Sequence, residues 1–198
     1  MPDPSQSIVR QTYAIQSLTA TGMSEEAQDA QTFCLRIIRD FYGIEYNSDW
    51  HADLDSLTGS AESGWYSSQN GGGFRIVRDE VGNIIATGGL YNLARKPGTS
   101  ARLAGRYGDR KICQIARVYL DPAIRGKGLG SRIVSELEAD ARALGYDIAY
   151  LHADAQTPAT LSFWASRGYR EFGRFSYPSP SGGMDTSVDF DKVLSRST

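Results

Sequence analysis

The segment with the most chemical content runs from Arg117 to Ser131 (RVYLDPAIRGKGLGS). Its strand-like alternation ends at Leu120, Pro122 interrupts it, and Gly126, Gly128 and Gly130 lead into an amphipathic helical pattern. The first amides of a helix have no intrahelical partner, and the macrodipole places partial positive charge there. Glycines let the backbone approach a ligand closely and take up positive φ. Arg125 and Lys127 add local cationic charge, so the combination has the character of a pyrophosphate site. Two familiar phosphate motifs fail on residues. A P-loop needs a lysine after its last glycine, whereas Ser131 follows Gly130 directly. A dinucleotide fingerprint starts at Gly126 and Gly128 but meets Ser131 where its third glycine should stand. A glycine turn that serves packing alone is the competing reading.

The elements around this segment alternate in kind. Residues 8–15 have the pattern of a first strand. Ser24 caps a helix carrying Glu25 and Glu26 in its first turn, and Phe33, Ile37, Ile38 and Phe41 recur at helical spacing up to Gly43. A second short helix is expected around Asp53 to Leu57. Residues 58–73 are polar and glycine-rich with Trp65 and Tyr66, and read either as a surface connection or as a substrate-facing flap. Phe74–Asp79 and Ile84–Leu90 form a hairpin about Gly82 and Asn83. Residues 94–111 read as a second long loop, in which Arg95, Lys96, Arg102, Arg106, Arg110 and Lys111 face one acid, Asp109. Such a run is either a solvated face or an attractor for an anionic group. Ile112–Leu120 alternates as a strand, with Cys113, Ile115, Arg117 and Tyr119 assigned to one face. A helix from about Gly128 buries Leu129, Ile133, Leu137, Ala141 and Leu144 and stops before Gly145. Ile148–Ala153 is a short strand. Thr157 as cap and Pro158 start a further helix, and Arg170–Tyr177 and Met184–Leu194 close the chain as strands.

Bulk properties narrow the classes. The 198 residues are 40% hydrophobic and 22% charged, with a formal net charge of −2. That length suits one domain, taken as residues 8–195 after a short tail at 1–7. A net negative charge gives no global attraction to nucleic acid or to an anionic membrane, and the basic run at 94–111 alone does not make a nucleic-acid surface. No stretch approaches the roughly 20 apolar residues of a membrane span. The first residues lack the pattern of a signal peptide, and a cytoplasmic location is expected. Cys34 and Cys113 have no metal-like spacing and read as small core residues; no metal is expected.

Two motifs together point to a family. Arg125 to Gly130, as R-x-x-G-x-G after a Val-x-Leu-x-Pro strand end, resembles the acetyl-CoA signature of the GNAT N-acetyltransferase superfamily. Thr157 to Tyr169 (TPATLSFWASRGY) is similar to that family's N-x-x-A-x-x-x-Y-x-x-x-G-F helix. The resemblance is strong over residues 112–177 and compatible from residue 24 onward. It implies an α+β (mixed α/β) fold. The central sheet would be mixed and mostly antiparallel, of about six or seven strands flanked by about four helices, and splayed between its fourth and fifth strands. It further implies acetyl-CoA as cosubstrate. The pantetheine arm would pair with backbone groups of Val118, Tyr119 and Leu120. The pyrophosphate would rest on amides between Gly126 and Ser131, beside Arg125 and Lys127, with Gly128 and Gly130 allowing the approach. Thr157 and Trp164 would lie near the thiol end.

The implied reaction is direct attack of a neutral amine on the thioester. A backbone N–H near Val118 to Leu120 would stabilise the oxyanion, and the orientation of two bound reactants is worth roughly 7–11 kcal/mol. Two positions depart from the family pattern. Trp164 replaces the tyrosine proposed to protonate the thiolate, and Gln114 stands where some members carry a glutamate; a carboxamide is no base. Since a thiol has a pKa of about 8.5, the leaving group needs little help. His152 is the first candidate for a relocated base, against a structural histidine. Tyr119 is the second, against simple packing. His51 is a third, expected at the surface.

The acceptor side would draw on Phe41, Tyr42, Tyr46, Trp50, Trp65, Tyr66 and Tyr91, with Phe41 and Tyr42 assigned to the core. A small-molecule amine is the expected partner, and neither nucleic acid nor membrane is. The oligomeric state is left open, with a homodimer as the candidate. Acetylation of a protein N-terminus or lysine, and an acyl-CoA-binding module without turnover, are the alternatives.

Overall fold

The computed structural model describes residues 13–18, 24–59, 64–179 and 182–194. Among them, seven strands form one sheet: β1 (Ile15–Ser17), β2 (Gly73–Arg78), β3 (Ile84–Asn92), β4 (Ile112–Leu120), β5 (Ile148–Asp154), β6 (Arg170–Pro178) and β7 (Met184–Val193). Their spatial order is β1-β2-β3-β4-β5-β7-β6. Every neighbouring pair is antiparallel except β4 and β5, which are parallel. The helices are α1 (Glu25–Tyr42), α2 (Ser48–Thr58), α3 (Pro97–Tyr107), α4 (Leu129–Ala143) and α5 (Pro158–Ser166). The expected mixed, mostly antiparallel sheet is therefore found. Of the strand expected at 8–15, residues 8–12 lie outside the described residues, and β1 starts at Ile15.

Local sequence accounts for the helix ends. Ser24 Oγ accepts from the Ala27 amide at 3.2 Å, and Gly43 ends α1 in the left-handed region at φ 62°. Between them Ala27, Ala30, Phe33, Cys34, Ile37 and Ile38 form the buried stripe. Each large apolar side chain of this kind contributes about 1.5–3 kcal/mol on burial. Phe41 and Tyr42, assigned to the core from their spacing, are instead exposed. The last turn of α1 stands beside the glycine-turn end of β4, with the Arg125 guanidinium over Phe41 and Tyr42 tilted against Tyr119. His51, expected at the surface, is buried, and its Nδ1 accepts from the Asn47 amide at 3.0 Å. Thr157 stands at the start of α5 but does not cap it; its hydroxyl donates to Asp154 O at 2.8 Å.

The loop expected at 94–111 is a second correction. It contains a 3-10 turn at Leu93–Arg95 and the helix α3, giving five α-helices where about four were expected. Pro97 opens α3, and Leu103 and Tyr107, four residues apart, are its buried contacts. Its two arginines are exposed, as a solvated face would be, but each is held by a carboxylate. Arg102 forms a bidentate pair with Asp189 (2.6 and 2.9 Å), and Arg106 pairs with Asp191, both on β7.

Helices cover both faces of the sheet. α4 and α5 bury Ile133, Val134, Leu137 and Trp164 against β3, β4, β5 and β7. On the other face α1 and α2 pack Phe33, Ile37, Leu54 and Leu57 against Ile76 and Tyr91, while α3 covers Ile148 and Tyr150. The segment 64–73 also belongs to this face, since Tyr66 is buried there against Phe74 and Tyr91. A buried Glu138 on α4 accepts from Lys192 Nζ at 2.8 and 2.9 Å and joins α4 to β7.

Strict alternation along β4 fails at one residue. Gly89 pairs with Ala116 and Thr87 with Tyr119, so Gly88 stands opposite both Arg117 and Val118. This is a β-bulge, and Arg117 sits in it at φ 55°. Ala116, Arg117 and Tyr119 therefore face α1 and α2, while Cys113, Ile115, Val118 and Leu120 face α4. The expected placement of Arg117 and Tyr119 beside Cys113 and Ile115 is overturned, because the bulge inserts one residue into the two-residue period.

Candidate active site

The parallel pairing of β4 and β5 covers Ile112–Gln114 against Ile148–Tyr150 and goes no further. β5 continues to Asp154 in pairing with β7, while β4 continues to Leu120 in pairing with β3. The two strands thus separate beyond the Gln114–Tyr150 rung and leave a wedge-shaped gap in the sheet. The bulge at Arg117 falls within the diverging part of β4.

The glycine turn lies at the end of that strand. Asp121 Oδ1 accepts from the Ala123 amide, a 3-10 turn spans Pro122–Ile124, and residues 125–128 are exposed. Gly126 and Gly128 take φ 75° and 80°, a region that favours glycine. Gly128 caps α4 without a side-chain hydrogen bond, so the amides of Leu129, Gly130 and Ser131 remain available at the positive end of a 15-residue helix. Arg125 Nε donates to Leu120 O at 3.2 Å, and its guanidinium lies 4.4 Å from the Phe41 ring centre. The exposed end of α1 therefore reaches the mouth of the glycine turn. Lys127 is exposed beside it.

On the α1–α3 face the bulge carries a polar cluster. Arg117 Nε and one terminal nitrogen donate to the two oxygens of Asp53 at 2.8 and 2.7 Å, and Tyr66 donates to Asp53 at 2.6 Å. Arg117 also donates to Trp50 O at 3.1 Å. Thr87 Oγ1 donates to the Arg117 carbonyl at 2.9 Å, which fixes the bulge from the neighbouring strand. Desolvation opposes ionisation of Asp53, but the charge and hydrogen bonds of Arg117 outweigh it and hold the carboxyl below its usual range. Burial raises Tyr119 to about 12, with Arg117 opposing. The phenol is therefore a hydrogen-bond donor at neutral pH and not a base.

A second cluster borders the gap from β5. Tyr150 donates to Asp189 Oδ1 at 2.7 Å and accepts from Arg102 at 3.0 Å. His152 follows on the same face, with Nδ1 3.4 Å from Tyr150 Oη and its ring edge-on to Phe175. Solvent still reaches the imidazole. Desolvation in the cleft lowers its pKa from 6.5, Asp189 works against this, and Arg102, Arg117 and Lys96 reinforce it. The ring is neutral at pH 7, as a proton acceptor must be. Gln114, between Tyr91 on β3 and Tyr150 on β5, is buried at 5% exposure, and its Oε1 has no hydrogen-bond partner among the described residues. Trp65 meets Tyr91 edge-on, and Lys96 Nζ lies 5.2 Å from the Trp65 ring centre.

Val118, Tyr119, Leu120, Gly126, Gly128, Gly130 and Ser131 thus lie on one continuous path along the gap and over the helix start. A Cβ at Gly130 would stand 3.5 Å from Leu120 and 3.6 Å from Phe163, so this path also touches α5. Trp164 does not join it. Its ring is buried in the core against Phe163 and Tyr169. Cys34 and Cys113 are buried, and desolvation raises both thiols to about 12, so neither is a nucleophile. Sequence reasoning missed Asp53, Tyr150 and Asp189 as neighbours of the gap, and named Lys96 and Arg102 only as members of a basic run. One signal was legible: Asp189 and Asp191 recur with period two inside an apolar strand, as Arg102 and Arg106 recur with period four.

Comparisons with known proteins agree with this geometry. Residues 34–169 match the acetyltransferase (GNAT) family model. An uncharacterised N-acetyltransferase of Escherichia coli, YjgM, is 29% identical over 102 residues, which cover 52% of this chain and 53% of that protein. The chain therefore matches about half the length of that curated relative. Among solved structures, an acetyltransferase of the GNAT family from Staphylococcus aureus Mu50 superposes with TM-score 0.65 at 19% identity, over 92% of this chain and 100% of that one. A phosphinothricin acetyltransferase from Sinorhizobium meliloti, solved with AcCoA, gives TM-score 0.63 at 18% identity, over 94% and 91%. With its split sheet and the glycine turn beyond β4, the chain belongs to the acetyltransferase (GNAT) family.

Proposed function

We propose that this protein transfers an acetyl group from acetyl-CoA to a primary amine of a small molecule. The observation that carries the reading is the divergence of β4 from β5 immediately beyond Gln114 and Tyr150. It opens a slot for an extended thioester arm, and the uncapped start of α4 lies at the far end of β4. The pyrophosphate rests on the amides of Gly128 to Ser131, with Arg125 and Lys127 supplying charge. Backbone groups of Val118, Tyr119 and Leu120 hold the arm.

In the reaction the amine nitrogen attacks the thioester carbonyl, the new C–N bond forms, and the C–S bond breaks. The proton lost by nitrogen ends on the thiol, giving an amide and free coenzyme A. Orientation of the two reactants and main-chain donors on β4 supply most of the acceleration. His152 relays the proton, and Tyr119 contributes packing and a hydrogen bond.

A small acceptor is favoured over a polypeptide by the way the cleft is closed. Trp50 on α2 meets Tyr177 on β6 edge-on, with ring centres 6.0 Å apart, which narrows the space between these two elements. Thiol release from acetyl-CoA over a panel of small amines and N-terminal peptides tests the reading. Turnover of amines is expected. Release only with peptides would reassign the acceptor, and coenzyme A binding with no release in either set would favour a module that binds without turnover.

A further inference from the structure

The cleft next to the β4–β5 rung has two unanswered groups. Gln114 Oε1 is buried without a partner among the described residues. Leaving such a carbonyl unpaired costs about 1–3 kcal/mol, and replacing the side chain by an apolar one of similar shape would remove that cost. A group kept in that state, at the apex of the gap, is suited to receive a hydrogen bond from a ligand.

The second is Lys96. Arg117 and Arg102 are each neutralised by a bidentate carboxylate, Asp53 and Asp189. Lys96 has no carboxylate within ion-pairing distance among the described residues; its ammonium lies against the Trp65 ring. Its field reaches Asp53, His51 and His152, which places it over the same cleft. With both histidines neutral, Arg117 and Arg102 are answered by Asp53 and Asp189, and Asp55 adds a third carboxylate near His51. Lys96 is the cation left for a ligand's carboxylate.

Resting on the acetyl-transfer reading, we propose that the acceptor is a carboxylate-bearing amine of the amino-acid class, its amine N–H held by Gln114 Oε1 and its carboxylate by Lys96. Contacts link the two sites: Gln114 pairs with Tyr91, Tyr91 meets Trp65, and Trp65 meets Lys96. The carboxamide orients the nitrogen and accepts one of its hydrogens but cannot take its proton. Trp50, Phe175 and Tyr177 give the side chain an aromatic surround.

Matched pairs test this with the full chain: phenylalanine against 2-phenylethylamine, leucine against 3-methylbutylamine, and methionine against 3-(methylthio)propylamine. The carboxylate-bearing member of at least one pair is expected to show kcat/KM higher by about tenfold or more, the scale of one desolvated ion pair. Lys96→Met should collapse that ratio and Lys96→Arg should restore part of it. Gln114→Leu should lower kcat/KM by about tenfold while leaving the melting temperature unchanged or raised. Equal use of both members of every pair, or a ratio that survives in Lys96→Met, overturns the proposal. Where no amine is turned over, the pairs are titrated calorimetrically into chain saturated with coenzyme A. Carboxylate-dependent binding lost in Lys96→Met upholds the site while the transfer reading fails; binding without that dependence, or none, overturns the site. Failure to bind coenzyme A defeats the transfer reading, and the same titrations on the free chain then decide the site by the same criterion.

Discussion

Arg117 and Asp53, 64 positions apart, face each other through a two-point contact of 2.8 and 2.7 Å, with the carboxylate side chain 1% exposed. The pair joins α2 to the bulge of β4. Removing one member of a buried pair leaves an uncompensated charge and costs about 3–5 kcal/mol. Arg117→Met is therefore expected to lower unfolding stability by about that amount in urea titrations. The double variant Asp53→Leu/Arg117→Met should lose clearly less than the sum of the two single changes. Additive losses would show that the two groups are not coupled.

Acid should weaken the same contact. Asp53 has its pKa lowered from 3.8 because Arg117 overcomes desolvation. A depressed carboxyl contributes stability that is complete above its unfolded value and is lost as pH falls through the folded one. The difference in stability between wild type and the Asp53→Leu/Arg117→Met variant should thus be constant above about pH 4–5 and shrink below it. Unfolding curves from pH 7 to pH 2 measure this.

His152 predicts a different pH range. Its pKa is lowered from 6.5, so the unfolded chain binds the proton first and folding stability declines as pH drops below about 6.5. In catalysis the ring stays neutral from pH 6 to 9, and an acid limb in kcat/KM should appear only below about pH 6. His152→Ala is expected to lower kcat/KM by about tenfold or more and to abolish that limb. An unchanged limb in the variant would assign it to another group.

The glycine turn can be probed without touching a side chain. Gly128→Ala forces a Cβ into φ 80°, which costs roughly 1–2 kcal/mol, and narrows the approach to the α4 amides. Coenzyme A affinity should fall by about tenfold. Gly82→Ala, at φ 93° in the β2–β3 turn and equally free of neighbours, carries similar strain and should leave affinity unchanged. Calorimetry on both variants separates backbone strain from loss of the anion site.

Gly88 is constrained by contact instead. A Cβ there would lie 2.5 Å from Ile133 Cγ2 and 3.1 Å from Leu137 Cδ1. Gly88→Ala should push α4 away from the sheet opposite the bulge and cost about 1–3 kcal/mol, read as a lowered melting temperature.

Much of this was legible because local signals agreed with the fold. The α1 stripe, the β2–β3 hairpin, and Gly126, Gly128 and Gly130 each carry their structure in a short window. Four things were not. α3 was hidden because Leu103 and Tyr107 are its buried anchors and the arginine just before each finds its partner on β7, about 85 residues later. Arg117 was assigned to the wrong face, since nothing in IARVY marks the extra residue of a bulge. His51 and Asp53 read as polar helix residues because their burial depends on Asn47, Tyr66 and Arg117, which no local pattern connects. Phe41 and Tyr42 have core-like spacing, but they lie beside Arg125 and Tyr119 at the open end of β4, and no local pattern says so.

The left-handed residue at Arg117 ties the backbone of β4, beyond its split from β5, to a helix far upstream. Splicing β4 through α5 of this protein onto another relative's first two helices would transfer the proposed nucleotide site but not the backbone kink, because nothing would answer the guanidinium. Chimeras meant to alter acceptor scope should therefore exchange α2 and β4 as one unit.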